Sequence, residues 1–291
     1  YPNYTNISAY NMAASCIDTA IKNLIVAGCE LSNIALLDNF CWCSPEEPEK
    51  LYQLKKSLEA CYDLSVFYQT PFISGKDSMY NDFNGYDKKN NKIKVSIPPT
   101  LLISSIGIIK NYDNLLTIVP QNSDDLIYMI GETDNEMGGS ELAKILRLEN
   151  NNVPSVNEKK AKENYNNFTK ANQNKLINSA ISVNVGGLAI ALSKMAIASD
   201  KGLEINLDKI NLTNKKVEDN YILYSESPSR IVVTVSRQNK SKFETFFKKS
   251  QLSLLGKISN NKKIIFMMKE NKKFEVSINS LSNNYKQDLF N

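Results

Sequence analysis

The run Thr70-Pro-Phe-Ile-Ser-Gly-Lys-Asp-Ser-Met-Tyr80 is where an apolar segment gives way to a cluster of polar chemistry. Phe72 and Ile73, after Pro71, read as the end of a buried strand that stops at Ser74-Gly75. Lys76, Asp77 and Ser78 then follow at the strand's C-terminal edge. Gly75 has no Cβ, so the backbone there can approach a ligand closely. Lys76 offers a cation, Asp77 a hard-metal ligand or a partner for that cation, and Ser78 a hydroxyl. That set suits a phosphate with Mg²⁺. A Walker A loop requires Gly-x-x-x-x-Gly-Lys-Ser/Thr. Thr70 stands where its first glycine belongs and Asp77 where its hydroxyl residue belongs, so this is not a P-loop. On the stretch alone two readings stand: a phosphate-and-metal edge, or a strand-to-turn corner whose Lys76 and Asp77 pair with each other.

Upstream, residues 9–27 carry a helical stripe of Cys16, Ala20 and Leu24 beside Ile17, Ile21 and Ile25, with Gly28 as the stop. Ile34 to Leu37 reads as a short buried strand ending at Asp38-Asn39, a second pair of polar groups at a strand's C-terminal edge, where layered α/β folds collect ligands. Ser44-Pro45-Glu46-Glu47 reads as a capping box with proline at the first helical position. The helix it opens should bury Leu51, Leu54, Leu58 and Cys61.

Downstream, residues 81–92 are rich in Asn, Gly, Asp and Lys and read as a loop. Val95 and Ile97, then Leu101 to Ile109, read as strands joined through Pro98-Pro99. Residues 110–124 suit a connection between an N-terminal domain, 1–115, and a C-terminal one, 116–291. In the second, Leu126 to Ile130 is a strand, and Gly131, Gly138 and Gly139 lead to a helix from Ser140. That turn is either a phosphate cradle or a tight turn. Residues 150–178 read as a solvent-facing helix with loops, and Gly186-Gly187 opens another helix. Strands at 203–206 and 230–236 flank the turn Ser225-Glu226-Ser227-Pro228. Phe243, Phe246 and Phe247 mark a core-facing helix. Leu254 to Ile258, Ile264 to Met268 and Phe274 to Ile278 close the sheet, and 280–291 reads as a polar, mobile tail.

Composition narrows the function. The chain has 291 residues, 42% of them hydrophobic, and a net charge of +4. Its Lys residues are scattered among Asn, which reads as solvated surface rather than a nucleic-acid groove. No apolar run approaches the roughly 18 residues of a membrane span, and no signal peptide is visible, so a cytoplasmic protein is expected. Residue 1 is Tyr, which reads as the start of a fragment or of a processed chain. Cys16, Cys29, Cys41, Cys43 and Cys61 are odd in number without a C-x-x-C pair, and read as reduced thiols. Histidine is absent. Cys-His and Ser-His-Asp mechanisms are therefore excluded within the chain, leaving carboxylates, Lys, Tyr or another polypeptide for acid–base work.

Several stretches occur together in one order: Ala35-Leu-Leu-Asp-Asn-Phe-Cys-Trp42, Glu47-Pro-Glu-Lys-Leu51, Ala60-Cys-Tyr-Asp63, Thr70 to Ser78, Ile97-Pro-Pro-Thr-Leu-Leu-Ile-Ser104, Gly131-Glu-Thr133 and Ser225-Glu-Ser-Pro228. In this the chain resembles the C-terminal half of the phosphoribosylformylglycinamidine synthase family, within the aminoimidazole ribonucleotide synthetase superfamily. The resemblance covers nearly the whole chain. It implies an α/β (α+β) fold made of one synthetase-like unit: an N-terminal sheet-and-helix domain whose first strands are missing, plus a C-terminal α/β sandwich domain. It also implies an ATP- and Mg²⁺-dependent, ammonia-using ligase of purine biosynthesis acting on formylglycinamide ribonucleotide. The implied partners are the N-terminal half of the synthase and a glutaminase domain or subunit.

By resemblance, Asp38 and Gly75 face ATP, Ser78 contacts the ribonucleotide, and Lys76 stands where short family members place Asn near Mg²⁺, with Asp77 beside it. A second, pseudo-symmetric nucleotide site departs from the family's pattern. Its helix pair of Glu and Asn is Thr19 and Asn23 here, and its loop aspartates are gone from the run Ile181-Ser182-Val183-Asn184-Val185. A Mg-nucleotide needs hard oxygen ligands, so this auxiliary site is expected to be weak or empty. Glu226, Ser227 and Pro228 match the family's substrate-side turn but would face that weakened site. The alternatives are a non-catalytic scaffold and another ATP-using member of the superfamily.

Overall fold

The computed structural model describes residues 1–149, 151–213, 217, 219–268 and 272–287. The first part of the chain runs α1 (Pro2–Thr5), α2 (Ala9–Ala27), β1 (Ile34–Cys41), α3 (Pro48–Tyr68), β2 (Phe72–Ser78), β3 (Asp82–Tyr86), β4 (Lys92–Ser96) and β5 (Thr100–Gly107). Ser8 caps α2 by accepting from the Asn11 amide at 3.2 Å, and Gly28 ends it at φ 109°, a conformation glycine adopts without a Cβ penalty. Strands β2, β1 and β5 form a three-stranded sheet in that order, with β1 parallel to β2 and antiparallel to β5. A β-branch, aromatic and leucine alternation seats Ile34, Leu36 and Phe40 in the core, in one cluster with buried residues of α2 and α3.

The rest supplies β6 (Leu126–Ile130), α4 (Glu141–Leu146), α5 (Glu158–Gln173), β7 (Ser179–Ser182), α6 (Gly187–Ser199), β8 (Gly202–Asn206), α7 (Asp219–Tyr224), β9 (Ile231–Val235), α8 (Lys240–Thr245), β10 (Leu252–Ser259), β11 (Lys263–Met268), β12 (Lys272–Ser277) and α9 (Ile278–Gln287). Its seven-stranded sheet has the order β12-β11-β8-β10-β6-β9-β7. Period-two alternation feeds both faces. Ile127, Met129 and Val232 join Leu188, Leu192 and Met195 of α6 on one side. Tyr128, Ile130, Ile231 and Val233 join Tyr165, Phe168 and Phe243 on the other, in a cluster that continues through α2 to Leu36 and Phe40 of the small sheet.

Several local expectations need correction. Strands β1 and β2 do not stop at Leu37 and Gly75 but run on to Cys41 and Ser78, because the two pair in parallel over that whole length. Strand β2 is mostly exposed rather than buried, since it has a neighbour on one side only. Helix α3 begins at Pro48, not Pro45, and Glu47 is its N-cap without a side-chain cap bond. Its buried face is Gln53, Ser57, Ala60, Cys61, Leu64 and Tyr68, while Leu51 and Leu58 are 53% and 49% exposed. The small residues win because they let α3 approach α2 closely: Ser57 Oγ donates to the Ala9 carbonyl at 3.3 Å. The loop expected at 81–92 is largely the hairpin β3–β4. Helix α5 is not solvent-facing but buries Ala161, Tyr165, Phe168 and Ala171. Most of the expected tail is α9, and 288–291 lie outside the described residues.

Candidate functional site at the edge of the small sheet

Register puts Asp38 beside Gly75, Asn39 beside Lys76, Phe40 beside Asp77 and Cys41 beside Ser78. Side chains alternate across a pleated sheet, so Asp38, Gly75 and Asp77 share the helix-covered face with Phe40. Lys76 and Ser78 share the opposite face with Asn39 and Cys41. A Cβ built on Gly75 would lie 2.0 Å from Asp38 Oδ1. The Asp38 carboxylate thus occupies the space that any side chain at 75 would need.

Electrostatics agree with this assignment of faces. Asp38 is pushed above its ordinary value by burial and then by the Asp77 charge, with backbone hydrogen bonds at Asp38 and Lys76 offsetting part of the rise. Burial pushes the Cys61 thiol of α3 up to about 12, and the Asp38 charge adds to it. Asp38, whose charged form the Asp77 carboxylate disfavours, makes with it a donor pair that a divalent cation would relieve. This carboxylate pair, with Asp38 seated in the space that the missing Gly75 side chain leaves, fits a divalent cation beside a phosphate. Among the described residues, neither Lys76 nor Asp77 forms an ion pair, so the reading in which they neutralise each other is not what forms.

The face that carries Lys76 and Ser78 is uncovered. Leu102 pairs with Asn39 and Ile106 with Ala35, and these two β5 residues are 56% and 58% exposed. At the end of β2, Asn81 Nδ2 donates to the Ser78 carbonyl at 2.7 Å, to Ser78 Oγ at 3.1 Å and to the Trp42 carbonyl at 3.1 Å. Nothing in the sequence marks Asn81 out from the polar residues that follow it.

The five residues of the auxiliary site are spread over α2, the end of β7 and the loop after it. Ser182 Oγ donates to Asn23 Oδ1 at 2.7 Å, and Asn184 Nδ2 bridges Asn23 Oδ1 at 3.2 Å and Ser182 Oγ at 2.8 Å. Thr19 Oγ1 meets the Tyr1 hydroxyl at 2.7 Å, and Val185 is exposed. This neutral, mutually bonded set does not fit Mg²⁺, which requires charge-balancing oxygens. Among the described residues no group of three or more His, Cys, Asp or Glu could hold a metal ion.

On α2, one residue before Thr19 and Asn23, lies a buried pair that the sequence reading missed. Lys22 Nζ donates to Asp18 Oδ2 at 3.2 Å and to the Val183 carbonyl at 2.9 Å. Asp18 also accepts from Ser229 N at 2.9 Å, from Ser229 Oγ at 2.7 Å and from the Tyr165 hydroxyl. An i,i+4 pair of opposite charges inside an apolar stripe was the available signal.

The turn at Glu226 points inward. Its carboxylate accepts from Gly186 N at 2.9 Å, from Glu141 N at 3.1 Å and from the Tyr4 hydroxyl. It thereby sits at the mouths of α6 and α4, where orphan N–H groups attract a negative charge. Ser227 Oγ accepts from Asp134 N at 3.0 Å, and the Ser227 carbonyl accepts from buried Arg230 Nε at 2.9 Å. A cleft of about 650 Å³ beside this turn is lined by Glu136, Asn164, Ser227, Ser229 and Lys249 among others, and includes none of Asp38 or Gly75 to Ser78. Depth therefore does not mark the edge strand's chemistry.

Comparison with known proteins adds three findings. Residues 122–269, about half of the chain, match the family described as AIR synthase related protein, C-terminal domain. The chain is 30% identical over 262 residues to the phosphoribosylformylglycinamidine synthase subunit PurL of Methanocaldococcus jannaschii, covering 89% of this chain and 34% of that one. In fold it is similar to Thermotoga maritima PurL complexed with FGAR, with a TM-score of 0.74 at 18% identity over 96% of this chain and 44% of that one. The PurLQS structure from the same organism gives a TM-score of 0.72 at 18% identity, over 97% and 43% of the two chains. The chain spans about a third of the length of the curated relatives it matches.

Proposed function

Because the chain belongs to the AIR synthase-related protein family, we propose that it is the C-terminal part of a phosphoribosylformylglycinamidine synthase and completes a composite, ATP-dependent site. The reaction is amidine formation in purine biosynthesis: formylglycinamide ribonucleotide, ATP and ammonia give the amidine, ADP and phosphate. The observation that carries this reading is the Asp38 carboxylate lying over Gly75 on an edge strand whose other face presents Lys76 and Ser78 on uncovered sheet. Gly75, by lacking a Cβ, lets the Asp38 carboxylate lie against the strand where the nucleotide would meet it. Asp38, with Asp77 beside it, holds negative charge where the metal ion belongs, and Mg²⁺ supplies neutralisation of phosphoryl charge. Ser78 offers its hydroxyl to the ribonucleotide. Lacking histidine, the chain leaves acid–base steps to the N-terminal half, fused or separate.

That half packs on the open face of the small sheet, where Leu102 and Ile106 await cover. A glutaminase domain or subunit supplies ammonia. Among the described residues no helix is long and apolar enough to cross a membrane, in keeping with a cytoplasmic assembly. The division into 1–115 and 116–291 belongs to the same proposal, supported by a three-stranded sheet drawn from one side and a seven-stranded sheet from the other. The neutral network of Asn23, Ser182 and Asn184, with Thr19 bonded to Tyr1 instead, supports an auxiliary site that holds no Mg-nucleotide.

A scaffold role is the second reading. It is favoured by the split of Asp38 and Ser78 between opposite faces of the sheet and by that neutral network. Asp38→Ala in the assembled enzyme separates the two. The composite-site reading expects kcat/KM to fall roughly tenfold or more, the scale of a lost charged contact. An unchanged rate leaves only scaffolding.

A further inference from the structure

We infer that Asn81 is a positioning residue, which makes the Ser78 hydroxyl a hydrogen-bond donor toward the ribonucleotide. The inference rests on the composite-site reading above. Strand β2 ends at Ser78, and the chain turns back through Tyr80 at φ 58°, a left-handed conformation that a bulky residue adopts only when its surroundings compensate. The compensation is a bracket built on Trp42. Trp42 N donates to the Ser78 carbonyl at 2.8 Å, and Asn81 N donates to the Trp42 carbonyl at 3.0 Å. The Trp42 indole is itself buried and donates to the Lys50 carbonyl at 3.0 Å.

The Asn81 side chain closes this bracket, and its orientation is determined. Its Nδ2 faces the carbonyls of Ser78 and Trp42, and a carbonyl only accepts, so the amide nitrogen must be on that side. The same nitrogen lies 3.1 Å from Ser78 Oγ. The opposite arrangement, Ser78 Oγ donating to Asn81 Oδ1, spans 3.4 Å and is the poorer bond. The two amide hydrogens face three acceptors, so Ser78 Oγ accepts from Asn81 in a three-centre bond shared with a carbonyl, and its own proton is left for an acceptor on the open face. Phosphate and carbonyl oxygens of the ribonucleotide are such acceptors.

Asn81→Asp tests this with little change of shape. A carboxylate takes the Ser78 proton instead of donating to its oxygen. In the assembled enzyme the expected result is a KM for formylglycinamide ribonucleotide raised about tenfold, the scale of one lost hydrogen bond to a charged group. KM for ATP and kcat stay near the parent values. Ser78→Ala should give the same rise, and the double variant no more than either alone, because both act through one hydroxyl. Asn81→Gln, which keeps the donor, should recover part of the loss and serves if Asn81→Asp does not fold. Additive losses, or a normal KM in Asn81→Asp beside a raised one in Ser78→Ala, overturn the inference alone. A parent assembly without turnover overturns the composite-site reading and the inference with it.

Discussion

Asp38 is a carboxylate held partly out of water beside a second one, which is useful to a cation and costly without it. The cost has a measurable sign. Its folded-state value is raised above the ordinary 3.8 by burial and by Asp77. Between those two values the folded protein holds the proton more tightly than the unfolded chain, so this group's contribution to stability falls as pH rises through that window. Asp38→Asn removes the penalty. The variant should melt about 1–2 °C above the parent near pH 7, a small gain because the group is only half-buried and solvent screens it. The gain should vanish below the ordinary carboxylate value. A gain of equal size on both sides of that window would contradict the account. At this scale the sequence was partly legible. Asp38 and Gly75 stood out because a polar residue and a glycine end apolar runs. Their side-by-side register was not visible, since parallel pairing joins segments a whole helix apart. Asn81 was hidden, because asparagine in a polar stretch looks the same whether it is solvated or closes a bracket.

Among the elements, α2 joins the two sheets. It lies against β5 of the small sheet and β7 of the large one, and Lys22, only 1% exposed, carries the connection to Val183. Burial pulls the Lys22 ammonium below its ordinary value, while Asp18 pulls it back up. Removing one partner of a buried pair leaves the other charge uncompensated. Lys22→Ala should therefore destabilise the fold by about 3–5 kcal/mol in chemical denaturation, whereas a loss under about 1 kcal/mol would show that the pair bears little of the connection. The sequence showed α2, β6, β9 and β11 because long periodic runs with clear stops announce themselves. It misplaced the face of α3, where close helix packing favoured Ser57 and Ala60 over Leu51 and Leu58. It passed over β7, whose four residues carry too little periodicity to read.

As a whole molecule the chain is unevenly finished. In the large sheet the interior strands β6 and β9 are wholly buried from both faces. The small sheet is covered on one face, and its other face offers Leu102 and Ile106 to solvent beside Lys76 and Ser78. An exposed apolar patch of this kind is what the proposed N-terminal half would cover. The sequence disclosed the family and the two-sheet architecture through its ordered motifs, but an uncovered sheet face shows itself only in three dimensions. The most direct measurement is ADP formation dependent on ammonia and formylglycinamide ribonucleotide, for this chain, for the N-terminal half of the synthase, and for the two mixed. The composite-site account predicts turnover in the mixture and none in either part alone. A stable complex without turnover, or full activity in the N-terminal half by itself, would contradict it.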